Sequence, residues 1–229
     1  MTSGTASRPI RVAMIGQKGY PPIHGGIEKH VAELAARLPG LGCDVTIYSR
    51  PHYSDAQGPS DLPGVDIVRL PSIPTKHLDA ISHTVVSSAH AMSHGADVVH
   101  YHALGPGLLS GLPRLFRRQS TVVTVHGLDW QREKWGVVAT EVLKRCEYTS
   151  LYFPSKTIVV SRALRTYFRD KYATIPTYIP NGTNIPKPKP FAKKCLLKDP
   201  AMSDRTDTWL ILLKVRIIQK RRSVTLSRQ

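Results

Sequence analysis

Ile10–Val31, IRVAMIGQKGYPPIHGGIEKHV, changes character twice, and those changes decide the fold. Ile10–Gly16 is a short apolar run ending in glycine, the pattern of a strand buried on both faces. Gln17–Gly26 is rich in glycine and proline and predicts a loop. From Gly26 the apolar residues Ile27, Val31, Leu34, Ala35 and Leu38 recur at three- and four-residue steps, which predicts a helix stopped by Pro39-Gly40. Cys43–Tyr48, CDVTIY, predicts a second strand. The unit is strand, loop, helix, strand, and its crossover is expected to be right-handed.

The alternation continues outward from this unit. Strands are predicted at Val65–Leu70, Asp97–Tyr101, Thr121–His126, Thr157–Val160 and Thr177–Ile179. Helices are predicted at Asp79–His94, with Asp79 as its N-cap, and at Pro106–Phe116, Val137–Tyr152 and Arg162–Asp170. Strands alternating with helices imply an α/β fold: a doubly wound, mainly parallel Rossmann-like sheet. Residues 1–8 read as a flexible N-terminus and 9–186 as one such domain. Residues 187–229 read as a linker, PKPKP, followed by an irregular basic tail with one apolar run, WLILLKVRII.

Composition narrows the class. The net charge is +16, and residues 187–229 carry +9 of it. Basic charge suits anionic lipid headgroups or phosphorylated substrates, whereas nucleic acid is not expected because no recognition motif accompanies it. The three cysteines, Cys43, Cys146 and Cys195, have neither zinc nor disulfide spacing, which fits a reducing, cytoplasmic setting. No apolar run is long enough for a spanning helix, so any membrane contact is expected to be peripheral, on the inner face of the plasma membrane.

The Gly-rich loop lies between the carboxyl end of a strand and the start of a helix, where ligands bind in open α/β sheets. Gly25 and Gly26 let backbone approach an anion, and the helix start offers free N–H groups. Glu28 either favours the helix dipole or accepts hydrogen bonds from a sugar or a basic loop residue. No Gly-Lys-Ser/Thr closes the loop, and no clean G-x-G-x-x-G is present. The acid that a dinucleotide site would place after the second strand is replaced by Ser49-Arg50.

Four segments occur in a familiar order. They are GGIEKHVAELAARL (25–38), DVVHYHALGP (97–106), TVVTVHGLDWQREKW (121–135), and TIVVSRALRTYF (157–168) followed by YIPNGTNI (178–185). Together they resemble the N-terminal, acceptor-side half of family 4 retaining glycosyltransferases of GT-B fold. HGLDWQREKW is similar to bacterial enzymes that build rhamnose-containing surface polysaccharides. The resemblance implies a nucleotide-diphosphate sugar as donor, a glycan or lipid-linked acceptor, and no bound metal or other cofactor. It implies that His126 contacts the donor sugar near the reacting carbon and that Gly25, Gly26 and Gly127 serve the donor and its phosphates. Lys18, Tyr20, Glu28, Asp129 and Arg132 are expected on the acceptor side.

The residues alone leave alternatives. His126 ends an apolar strand, so it either meets a ligand in the cleft or is satisfied by a neighbouring carbonyl. Asp129 binds an acceptor hydroxyl or caps a helix carrying Trp130–Trp135. Arg132 and Lys134 hold an anionic acceptor or are solvated charge. His90 and His94, four apart, read as a surface pair. His100 and His102 share one side of a strand and either line the cleft or pack.

In the resembled family a second domain holds most of the donor, through a Lys or Arg and a Glu-x7-Glu stretch. No Glu follows Asp207 here, so the tail is expected to be a truncated C-terminal domain. The other reading is a basic amphipathic end that meets anionic membrane. The chain alone is then expected to be inactive. The competing function is a non-catalytic α/β module that docks a partner or an anionic surface.

Overall fold

The computed structural model describes residues 8–23, 25–53, 61–75, 78–131 and 136–182, with only the backbone of Val138 and Ala139. The chain divides into two compact units, 1–180 and 181–229. Of the second unit only Asn181 and Gly182 are described, so the expectations for the tail lie outside the described residues.

The elements run β1 (Ile10–Ile15), α1 (Gly26–Arg37), β2 (Cys43–Ser49), β3 (Val65–Arg69), α2 (Asp79–Ser93), β4 (Val98–His102) and α3 (Leu104–Gly107). They continue with α4 (Gly111–Arg117), β5 (Ser120–Val125), α5 (Val137–Tyr152), β6 (Lys156–Val159), α6 (Arg162–Tyr172) and β7 (Thr177–Tyr178). The seven strands form one sheet in the order β3-β2-β1-β4-β5-β6-β7, and every pairing is parallel. This is the doubly wound α/β fold the alternation predicts. The winding reverses between β1 and β4, and such a reversal opens a crevice at the carboxyl ends of the strands.

Burial explains the apolar runs. Val12–Ile15 of β1 and all of β4 are covered on both faces. Ile15, Tyr101, Leu104, Val123 and Phe168 meet in one core that joins the sheet to its helices. Burial favours partnered polar groups in such a core. Tyr101, for example, shares a 2.9 Å hydrogen bond with Ser88. Among the described residues no helix is long and apolar enough to cross a membrane. Cys43 and Cys146 are both buried.

Two expectations are corrected. The helix expected over Pro106–Phe116 is broken into α3 and α4, joined by i→i+3 bonds such as Leu112 N–H to Leu109 O at 3.0 Å. Pro113 has no N–H to return to Leu109 O, so a continuous ladder is impossible there. Asp79 does not cap α2; Leu78 holds that position. The Asp79 carboxylate instead accepts from Arg50 at 2.5 Å and from Ser72 at 2.6 Å, drawn aside by a nearly buried guanidinium.

Gly16 sets the closest approach in the sheet. Its φ is +113°, and a Cβ there would overlap the carbonyl oxygen of His102. Gly26, by contrast, faces open space. Gly16→Ala should therefore destabilise the fold by about 3 kcal/mol. Gly26→Ala should be neutral or stabilising by up to about 1 kcal/mol. Urea denaturation of the two variants checks the contrast.

Candidate functional site

The crevice is built from three segments that leave the sheet at one edge. The first follows β1. Gln17 is fully buried, and its side-chain N–H groups donate to Met14 O at 3.0 Å and Tyr48 O at 2.8 Å. That amide staples the loop to the ends of β1 and β2. Lys18 N–H donates to Glu28 Oε1 at 3.3 Å, and Lys18 Nζ donates to the Tyr53 hydroxyl at 2.8 Å. Glu28 therefore takes the bond from a basic loop residue that the sequence allowed, but from its backbone. The carboxylate lies over Gly25, whose φ of +106° and missing Cβ leave it that room. An acidic group thus stands at the start of α1, where the dipole favours it.

Tyr20 is turned inward. Its hydroxyl donates to Asp61 at 2.5 Å, and burial, then Asp61, pushes its pKa up to about 12. That bond engages the hydroxyl within the fold. His24 and Arg132 lie outside the described residues, as does Lys134.

The second and third segments bring histidines. His102 ends β4, and His126 is the first residue past β5. His102 Nδ1 and His126 Nε2 are 3.2 Å apart. His30, from α1, leans against both, with ring centroids 5.7 Å from His102 and 5.0 Å from His126. Burial lowers all three: His30 to about 4, His126 to about 3, and His102 well below its usual 6.5. Their mutual proximity lowers His102 and His126 further. At neutral pH the crevice thus presents neutral imidazoles, each able to donate through one nitrogen and accept through the other. That is a chemistry suited to hydroxyls. One nitrogen from each ring also lies within 4.8 Å of the others, close enough to hold an ion.

His100 does not line the crevice; it is buried, with Nε2 2.7 Å from Thr124 Oγ1. His90 and His94 stack face to face at 3.7 Å on the flank of α2, as the surface-pair reading has it. Gly127 faces open space and leaves backbone accessible beside His126. Asp129 opens a short 3-10 turn, Asp129–Gln131, while the rest of the expected helix, residues 132–135, lies outside the described residues.

That turn is anchored by a residue the sequence reading passed over. Glu147 of α5 is fully buried. Its carboxylate accepts from Trp130 Nε1, from Tyr167 at 3.1 Å, from Lys171 at 2.9 Å and from Tyr172 at 2.7 Å. A buried charge with this many donors is well compensated, and it ties the segment after His126 to α5 and α6. Its signal was an acid within the apolar stripe Leu143, Glu147, Leu151. His30 was missed in the same way: it sits in the stripe Ile27, His30, Leu34, where only the apolar members were counted. The three-histidine cluster escaped spacing rules because its members come from three distant segments.

Comparison with known proteins bears on the family and the fold. A family model described as Glycosyltransferase Family 4 matches residues 24–186. Alpha-maltose-1-phosphate synthase of Mycobacterium tuberculosis is 30% identical over 180 residues, covering 77% of this chain and 43% of that protein. The Mycolicibacterium smegmatis synthase is 28% identical over 183 residues, with the same coverage. The chain thus spans under half the length of these relatives. Among solved structures, a sucrose-phosphate synthase chain from Thermosynechococcus elongatus superposes with a TM-score of 0.52 at 19% identity, covering 77% of this chain and 91% of that one. The Anabaena HepE protein, solved with UDP and glucose, gives 0.53 at 15% identity, covering 76% and 45%. These two likenesses show the fold.

The depressed histidines make stability pH-dependent. His30, His83, His100 and His126 fall to about 4, 4, 3 and 3, each chiefly through burial, while the unfolded chain protonates them near 6.5. Stability is therefore full above about pH 6.5 and is lost as pH falls toward 4. The loss is up to about 1.4 kcal/mol per pH unit for each histidine. Urea titrations between these limits should show the decline, and His30→Gln should reduce its slope by one histidine's share.

Proposed function

The chain belongs to glycosyltransferase family 4, and from that membership we propose that it is the acceptor-side half of a retaining sugar transferase. The donor is a nucleoside-diphosphate sugar, and the acceptor is a glycan or lipid-linked glycan in polysaccharide assembly. The observation that carries this reading is the neutral His126, paired with His102 beside the point where the sheet reverses. A neutral imidazole at that edge can bond a sugar hydroxyl near the reacting carbon without placing a cation against it. HepE, solved with UDP and glucose, and starch synthase IV from Arabidopsis thaliana, solved with ADP and acarbose, share the fold.

In this reading the bond from the anomeric carbon to the diphosphate breaks as a bond to the acceptor oxygen forms on the same face. The acceptor's proton passes to the departing diphosphate. Backbone at Gly25, Gly26 and Gly127 approaches the donor, while Glu28, Lys18 and Asp129 border the acceptor. No resident metal or cofactor is assigned to the transfer itself; positioning supplies much of the rate. The net charge of +16 supports peripheral contact with the anionic inner face of the plasma membrane, where a lipid-linked acceptor would lie. The non-catalytic alternative rests on that charge alone and leaves the histidine edge without a purpose.

Where the transfer reaction is reconstituted, His126→Ala should lower kcat/KM by about a hundredfold or more, with the circular dichroism spectrum unchanged. His126→Gln, which keeps a hydrogen-bonding side chain, should fall between the two. Transfer at the native rate by His126→Ala contradicts the assignment.

A further inference from the structure

His30, His102 and His126 reach one point from three elements. The shortest edge of the triangle, His102 Nδ1 to His126 Nε2, is 3.2 Å. Two nitrogens on one tetrahedral zinc, each at about 2.0–2.1 Å, stand roughly 3.3 Å apart. The edge already has the length of a ligand pair. The ring centroids are separated by 5.0, 5.5 and 5.7 Å, so the third imidazole stands as far from the other two as they stand from each other. One nitrogen from each of the three rings falls within 4.8 Å of the others, so small rotations of partly exposed His30 and His126 close the set.

We propose that His30, His102 and His126 form a binding site for a borderline-soft divalent transition metal, Zn2+ or Co2+, and that the metal competes with sugar for His126. The ligand chemistry selects the ion. Three imidazoles and no carboxylate suit Zn2+ or Co2+, whereas Mg2+ and Ca2+ demand oxygen. His102 is wholly buried, and its Nε2 has no hydrogen-bond partner among the described residues. On binding, the proton between His102 and His126 moves to a non-ligating ring nitrogen, and both facing lone pairs go to the metal. Three protein ligands leave the fourth position of a tetrahedral ion open to water.

The competition clause rests on the proposed sugar site; metal binding does not. A metal on His126 takes the lone pair that a sugar hydroxyl would meet, and its bound water fills the adjoining space. The same three side chains thus serve a metal-free transfer and its inhibition by trace metal.

The experiment is a titration of the tag-free chain with Co2+, read by visible absorption. One equivalent should give the intense bands of tetrahedral cobalt, and one equivalent of Zn2+ should abolish them; Mg2+ should not. His30→Gln and His126→Gln should each weaken binding at least tenfold. His90→Gln, which breaks the stacked pair on α2, should leave it unchanged. His102→Ala is avoided as the sole test because it opens a cavity in the core; His30 is partly exposed, and its variant should keep the native circular dichroism. Absence of a tetrahedral spectrum overturns the proposal, as does full binding in both the His30 and His126 variants. In the reconstituted transfer reaction, Zn2+ should inhibit and chelator restore. Tight metal binding with undiminished transfer overturns the competition while leaving the metal site, and failure of transfer itself leaves the cobalt result standing.

Discussion

Everything at the crevice depends on one close approach. β1 and β4 are adjacent parallel strands, and Gly16 leaves β1 against the carbonyl of His102 with no room for a side chain. Any other residue would push the loop outward by the thickness of a methyl group. With glycine there, the loop after β1 folds flat across the edge, and Gln17 pins it to Met14 and Tyr48. α1 then starts where His30 can lean on His102 and His126. A backbone constraint on one residue thus determines which side chains share the site.

A second constraint holds the opposite wall. Past His126 the chain makes the turn Asp129–Gln131. It is fixed by Trp130, which donates to the buried Glu147 carboxylate. Tyr167, Lys171 and Tyr172 hold that carboxylate from α6. The network lies behind the histidines and outside their cluster. Burial therefore keeps the imidazoles neutral while the charge needed for rigidity is compensated elsewhere. Placing that acid beside His126 would have favoured an imidazolium and changed the chemistry of the edge.

The parallel sheet was legible because apolar strands buried on both faces and amphipathic helices have different periods, and both are written locally in runs such as IRVAMIG and VAELAARL. His126 was legible for the same reason: it follows such a run, and the end of a parallel strand faces the crevice. His30 and Glu147 were not, because each occupies one position of an apolar stripe, and a periodicity count discards the polar exception that matters. Asp79 was misread because a cap is a local inference, whereas its carboxylate answers to Arg50, distant in sequence. The Tyr20–Asp61 bond was out of reach of a local reading for the same reason, since Asp61 comes from another segment. Pro113 carried the break between α3 and α4 in plain view. The family membership agrees with the order of the GGIE, HGLD and IPNG segments, while the sugar and the acceptor stay outside what those segments encode.

The central claim is that the edge formed by His30, His102 and His126 receives the donor sugar. Imidazole resonances, followed by 15N-correlated NMR while a nucleoside-diphosphate sugar is added to the chain, test it most directly. The account predicts saturable shifts at His126 and His102, a smaller shift at His30, and none at His90 or His94. Shifts confined to other residues, with the three crevice histidines unmoved at saturating donor, would contradict it.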